Sequence, residues 1–390
     1  MKNKNIKNRI FNVVEKISKN KSKKLHEPIF IGNEKKYLKQ CIDTGYVSYK
    51  GKFVSKFEKK ICNYTKSKFA IAVVNGTSAL HILLKIFKIN SKHEVLLPSI
   101  SFVASANPIS YCNSTPNFVD SETSTLGIDP KKLKNYLEKI SIMKKGNCVN
   151  KKTGKIIKVL IAVHVFGMPC KILELKKICK NYNLILIEDA AEAIGSFYSG
   201  RHLGLFGDAA ILSFNGNKTI TTGGGGMILT KNKKIAEAAK HLTTTAKIKH
   251  KWDYLHDEIG YNYRMTNINA AVGCAQLENI GKIIKSKRKN FSKYKQFFKS
   301  EKNFSLLEES NSSRSNYWLI ALKLNNPNLK LRNIILNYLF KKGYESRPIW
   351  KPLHTLPMFR KNPRDKLSSA EKIYKSIINL PSSPILNYSK

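Results

Sequence analysis

At 390 residues, with 42% hydrophobic and 25% charged residues, the chain can bury a large core and divide into two domains. Its net charge of +44 would suit nucleic acid or an anionic membrane surface, yet 61 of its 70 basic residues are lysines spread from Lys2 to Lys390 rather than gathered in one patch. No zinc-finger spacing, Walker A sequence or apolar run of membrane length accompanies the charge, which argues against a specific nucleic-acid reader and against a membrane span.

The seven cysteines form no CxxC pair and their number is odd, which fits reduced thiols in a cytoplasmic protein. The nine histidines show no HxxxH or HExxH spacing, so no metal is expected.

In chain order, Ile6, Ile10, Val13, Val14 and Ile17 mark one face of a short amphipathic helix, expected as a packed extension over residues 1–26. Phe69 to Val74 reads as a strand. Asn75-Gly76-Thr77-Ser78 follows as a turn and helix cap, with Ala79, Leu80, Ile82, Leu83, Ile86 and Phe87 on one helix face. Next come a strand at Glu94 to Leu97, a helix containing Phe102 to Tyr111, and a strand at Asn117 to Val119. The polar, basic segment Lys144 to Lys158 reads as a surface excursion. Val159 to Val163, Ile172 to Cys179 and Leu184 to Ile187 repeat the strand–helix–strand unit, and Ala209 to Leu212 is a further buried strand. This alternation predicts a largely parallel sheet with helices on both faces, over a large domain at residues 27–266. After Asn267 the pattern changes to one long helix, Ile268 to Tyr294, a strand at Tyr317 to Leu324 and a helix at Leu331 to Lys342. That predicts a smaller α+β domain over residues 267–390.

The most informative stretch is Ser213-Phe214-Asn215-Gly216-Asn217-Lys218 with the glycine run Gly223 to Gly226. A lysine at the end of a buried strand can form a Schiff base with a carbonyl cofactor, and nearby serine and glycine amides can hold a phosphate. Taken alone, in a chain this rich in lysine, it reads first as a solvated loop lysine. Three other strand ends point to the same edge, where parallel sheets bind ligands. Gly76, Thr77 and Ser78 open a helix whose amides favour a phosphate, or simply cap it. Asp189, after Leu184 to Ile187, can pair with a protonated pyridine nitrogen, or act as a helix cap. Phe102 can stack on a flat ring, or belong to the core. Together they make a phosphate cradle, a ring stack, a pyridine partner and a lysine, in that order.

These motifs resemble the DegT/DnrJ/EryC1/StrS family of sugar aminotransferases. The resemblance runs from about His26 through Gly45-Tyr46-Val47-Ser48, Val74-Asn75-Gly76-Thr77, Pro98-Ser99-Ile100-Ser101-Phe102, His164-Val165-Phe166-Gly167, Glu188-Asp189-Ala190-Ala191, Ser213-Phe214 with Lys218, and Gly260-Tyr261-Asn262-Tyr263-Arg264-Met265. It implies the aspartate-aminotransferase (type I) fold, with a mostly parallel seven-stranded sheet and a smaller C-terminal domain, and pyridoxal 5'-phosphate as cofactor. It implies Lys218 as Schiff-base lysine and proton carrier and Asp189 as partner of the ring nitrogen. Gly76, Thr77 and Ser213 become phosphate contacts, and Phe102 the stacking aromatic. Asn262 reaches the phosphate of the other subunit's cofactor, which implies a homodimer with a shared site. Arg264, Arg347 and His354 are substrate candidates. Glu192 stands where glutamine or histidine is common, beside the cofactor's phenolic oxygen, and Asn215 and the four glycines also depart from the family pattern. Lys218 speaks against the relatives that carry histidine there and act as dehydratases.

Four strings narrow the resemblance: Leu25-His26-Glu27-Pro28, Ser213 to Lys218, His241 to Lys247, and Asn379-Leu380-Pro381-Ser382-Ser383-Pro384. They are similar to the branch of the legionaminic acid and bacillosamine pathways. That implies transfer of the amino group of L-glutamate to C4 of a nucleotide-linked, UDP-type, 4-keto-6-deoxy-N-acetylhexosamine. The alternatives are the same reaction on GDP-4-keto-6-deoxymannose, giving perosamine, and, from the charge, a polyanion-binding protein.

Overall fold

The computed structural model describes residues 2–18 and 21–387. From Phe69 onward the apolar runs become strands whose side chains alternate between two buried layers. Ile71 and Val73 enter one layer and Ala70 and Ala72 the other; Val95 and Leu97 oppose Leu96 in the same way. Both faces are covered, as parallel sheets require.

Seven strands cross the sheet in the order Phe69–Val73, Gly226–Thr230, Ala209–Ser213, Ile185–Asp189, Ile156–Val163, His93–Pro98 and Thr115–Val119. The pairs from Ala209–Ser213 to Thr115–Val119 are parallel, and Gly226–Thr230 is antiparallel to both of its neighbours. This is the expected α/β sheet, with one addition. The segment read as a surface excursion is partly strand: Ser141–Lys144 and Asn147–Asn150 form a hairpin, and the second strand pairs with Ile156–Val163. Its two-residue turn, Lys145-Gly146, has both φ angles positive, at 48° and 76°, the geometry that suits a tight hairpin.

Two helices also differ from the expectation. The stretch Phe102 to Tyr111 breaks into a 3-10 turn, Val103–Ser105, and a short helix, Asn107–Tyr111. Pro108 lacks the amide that would bond back into the turn. The long helix is two, Asn267–Glu278 and Ile280–Phe297, divided at Asn279, whose φ and ψ of −107° and 6° leave the helical range. The first packs against helices Glu34–Asp43 and Lys52–Thr65, beneath the large sheet.

A second sheet orders Phe304–Leu306, Ile320–Leu324, Ile377–Leu380 and Arg347–Pro348, all antiparallel. The N-terminal helix Lys2–Ser18 buries Ile6, Ile10, Val13, Val14 and Ile17, as its spacing predicts. It packs on helices Ile280–Phe297 and Leu329–Lys341. Among the described residues, no helix is long and apolar enough to cross a membrane.

Candidate active site

The carboxyl ends of the strands Phe69–Val73, His93–Pro98, Ile156–Val163, Ile185–Asp189 and Ala209–Ser213 open on one edge of the sheet. A cavity of about 370 Å³ lies there. Gly76, Thr77, Phe102, Asp189, Glu192, Ser213 and Lys218 all line it, as do Trp318 and Trp350 from the C-terminal part of the chain. A more open cleft of about 720 Å³ beside the N-terminal helix, near Glu15, Lys16 and Tyr344, carries none of these groups.

Helix Gly76–Ile86 begins at the cavity. Asn75 caps it by accepting the Ser78 N–H at 2.7 Å, so the first turn keeps its remaining amides for a ligand. The helix start sits close against the neighbouring strand: a Cβ at 76 would come within 3.2 Å of Ser213 Cβ. The glycine run does a different job from the expected one, since none of its residues lines the cavity. It folds back so that Phe214 N–H donates to Gly225 O at 2.8 Å, and a Cβ on Gly226 would meet the Asn75 backbone at 2.4 Å. It lets the strand and the helix start approach closely.

Lys218 follows a tight turn in which its N–H donates to Asn215 O at 2.9 Å. Its Nζ lies 3.2 Å from Glu192 Oε1 and 4.1 Å from the centroid of the Trp318 ring. Trp318 is fixed in turn by its Nε1–H, which donates to Asn217 O at 2.7 Å. Glu192 Oε2 accepts the Phe166 N–H at 2.8 Å. Phe166 and Gly167 both take the left-handed conformation, and a side chain at 167 would strike Asn316 Oδ1 at 2.0 Å. Burial pushes the Glu192 carboxyl up from its ordinary range, and the Lys218 ammonium draws it part of the way back.

Asp189 is buried at the floor. Its Oδ2 accepts from Ser105 Oγ at 2.6 Å and its Oδ1 from the Ala191 N–H at 3.1 Å. Next to it, Glu188 points away from the cavity and accepts from His164 Nε2 and from the amides of Gly204, Phe206 and Gly207. Burial alone would push its carboxyl up, but the His164 ring and those amides hold it below its usual range.

Phe102 is half exposed on the cavity rim, with its ring 6.2 Å from that of Trp350. Phe166 bridges the two tryptophans, 5.0 Å from Trp350 and 6.2 Å from Trp318. Ser105, Trp318 and Trp350 lie outside the motifs above, and Ser101 stands in one of them without an assigned role. Two of the three tryptophans in the chain line one cavity, and that scarcity is the signal that could have found them.

Four candidates lie outside the cavity of this chain. Asn262 is exposed, on a segment tied to the sheet where Val74 N–H donates to Tyr263 O. Arg264 lines a separate cleft and pairs with Glu58 at 2.9 Å. Arg347 is exposed on its strand. His354 is buried, and its Nδ1 shares a 2.7 Å hydrogen bond with Ser99 Oγ. Burial lowers its basicity.

Residues 29–390 match the model of the DegT/DnrJ/EryC1/StrS aminotransferase family. The chain belongs to that family. Among its relatives, the GDP-perosamine synthase of Vibrio cholerae is 38% identical over 364 residues, covering 92% of this chain and 94% of that protein. The GDP-perosamine synthase of Escherichia coli O157:H7 is 37% identical over 367 residues, covering 93% and 94%. Among solved structures, the Helicobacter pylori aminotransferase PseC, of pseudoaminic acid biosynthesis, superposes with a TM-score of 0.82 at 25% identity, covering 91% of this chain and 92% of that one. The chain is thus a sugar aminotransferase of the type I fold, and pyridoxal phosphate is its cofactor. The donor set of the cavity fits that cofactor: an amine for its aldehyde, a carboxylate for its ring nitrogen, free helix amides for its phosphate and an aromatic rim for its ring.

Proposed function

We propose that the enzyme moves the amino group of L-glutamate to C4 of a nucleotide-linked 4-keto-6-deoxyhexose, with GDP-4-keto-6-deoxymannose as the first substrate to consider. The chemistry rests on one observation: Lys218, Glu192 and Asp189 share one cavity at the sheet edge. The sugar rests on the curated relatives, three of which, at 34–38% identity, are GDP-perosamine synthases.

The bound cofactor supplies an aldehyde that takes up the amino group and a ring that delocalises the resulting electron pair. Lys218 would supply the amine that holds the aldehyde carbon, and its Nζ would carry the proton to and from the reacting carbon. Glu192, with Oε1 3.2 Å from Lys218 Nζ, would keep that nitrogen in place. Asp189 pairs with the ring nitrogen. Ser213 and the amides of Gly76 and Thr77 take the phosphate. Asn262, exposed outside the cavity, is assigned to the phosphate in a second copy of the chain, so the working unit is a homodimer. Arg264, Arg347 and His354 are left to substrate or to packing. The seven free thiols and a nucleotide-sugar substrate fit a cytoplasmic enzyme.

A second reading, a UDP-linked N-acetylated keto-sugar of the legionaminic acid or bacillosamine type, is favoured by the strings Leu25–Pro28 and Asn379–Pro384. They join behind the Trp318 wall. Ser382 N–H donates to Leu25 O at 2.8 Å and Glu27 N–H to Ser383 Oγ at 3.0 Å, while buried Lys287 Nζ bonds Trp318 O at 2.9 Å and Ser382 O at 3.0 Å. The test is to supply enzyme, cofactor and L-glutamate with each keto-sugar and identify the amino-sugar by mass. Turnover of GDP-4-keto-6-deoxymannose is expected. Turnover only of the UDP-linked N-acetylated sugar selects the second reading, and turnover of neither rejects C4 amination of these sugars.

A further inference from the structure

Ser101 and Ser105 sit four residues apart across the Val103–Ser105 turn, with their hydroxyl oxygens 2.6 Å from one another. Ser105 Oγ is also 2.6 Å from Asp189 Oδ2. Both serines are almost wholly buried, at 1% and 2% exposure, yet both border the cavity. The other Asp189 oxygen accepts the Ala191 N–H. An ionised carboxylate can only accept. The single proton of Ser105 is therefore committed to Asp189, its oxygen has to accept, and Ser101 is the donor. The direction of the chain is fixed from Ser101 through Ser105 to Asp189.

We propose that Ser101 and Ser105 are positioning residues that hold Asp189 as an acceptor-only carboxylate facing the cofactor's ring nitrogen, so that the proton of that pair stays on the ring. The inference rests on the pyridoxal phosphate reading of this cavity. Donors to the charged form of a carboxylate make it a weaker base, and each hydrogen bond in a buried chain polarises the next. A donor on each oxygen also fixes the carboxylate plane, because rotation breaks two bonds at once. Without the Ser105 hydroxyl, Oδ2 loses its protein donor, and the carboxylate becomes a stronger base and is free to turn. The proton of the pair then shifts from the ring toward Asp189, and the ring withdraws electrons less well.

The experiment uses the full-length holoenzyme loaded with pyridoxal phosphate carrying 15N in the ring. The 15N resonance reports directly whether that nitrogen is protonated, independently of turnover. In the unsubstituted enzyme it is expected at the protonated position. Ser105→Ala moves it toward the neutral position, Ser105→Thr, which keeps the hydroxyl, restores it, and Ser101→Ala moves it in the same direction by less. Ser105→Ala also lowers kcat by about tenfold to a hundredfold, the worth of one hydrogen bond to a charged group, with KM for the sugar little changed. A resonance that stays at the protonated position in cofactor-loaded Ser105→Ala and Ser101→Ala overturns the relay and leaves the aminotransferase assignment standing. An unsubstituted enzyme that takes up no pyridoxal phosphate overturns both.

Discussion

Lys218 keeps its ammonium between the Glu192 carboxylate and the face of Trp318. Because burial raises the Glu192 carboxyl, the ionised form that pairs with Lys218 is lost on acidification at a pH above the usual 4.5 of a glutamate. The acid limb of the kcat/KM profile is therefore expected above that value, and Glu192→Gln should remove it; an unchanged limb in the variant would detach Glu192 from the chemistry. His202 gives a second pH signature, in stability. Its Nε2 accepts the Gly195 N–H at 2.8 Å, and burial depresses its pKa from 6.5 to about 4. The unfolded chain takes up this proton near pH 6.5 and the folded chain only near pH 4, so the contribution to stability is present above 6.5 and lost as pH falls between the two. Every tenfold drop in proton affinity on folding corresponds to about 1.4 kcal/mol. Urea titrations of His202→Gln should show a shallower loss of stability over that window, and an equal slope would contradict it. Lys218 and Asp189 were legible in the sequence because strand ends announce themselves by apolar runs. Ser105 was not: a serine in a 3-10 turn has no pattern until the fold brings it to Asp189, 84 residues on.

At the scale of elements, the βαβ units could be read because alternation and helical periodicity are local signals. The hairpin Ser141–Asn150 was hidden because its apolar residues come only in pairs, Ile142-Met143 and Cys148-Val149, so no longer apolar run or alternation marks the strands, and only Lys145-Gly146 signals the turn. The N-terminal helix is a true part of the core. Ile10 and Val14 are fully buried. Ile10→Ala is expected to cost about 2–5 kcal/mol by urea unfolding, and a loss well under 1 kcal/mol would mean the helix is only loosely attached. The loop Leu203–Gly207 hangs on Glu188, which is fully buried and serves His164 and three amides. Glu188→Gln should cost about 3–5 kcal/mol, because one buried partner remains without its counter-charge. Near-neutral stability in that variant would mean the site tolerates a neutral amide.

For the whole molecule, the charge of +44 is spread over a lysine-rich surface and does not converge on the cavity, whose acidic groups Asp189 and Glu192 face a single lysine. Retention on heparin is accordingly expected to vanish at physiological salt, as unspecific phosphate binding does. Retention that survives it would revive the polyanion reading. Tyr46, Trp252 and Tyr254 are large aromatics left exposed in one chain, as is Asn262. The central claim is that one lysine among 61 carries the cofactor. Borohydride reduction of the cofactor-loaded enzyme, followed by proteolysis and mass spectrometry, tests it most directly. The expected result is the phosphopyridoxyl mass on the peptide containing Lys218 and on no other; the same mass on a different lysine, or on none while the cofactor is bound, would contradict it.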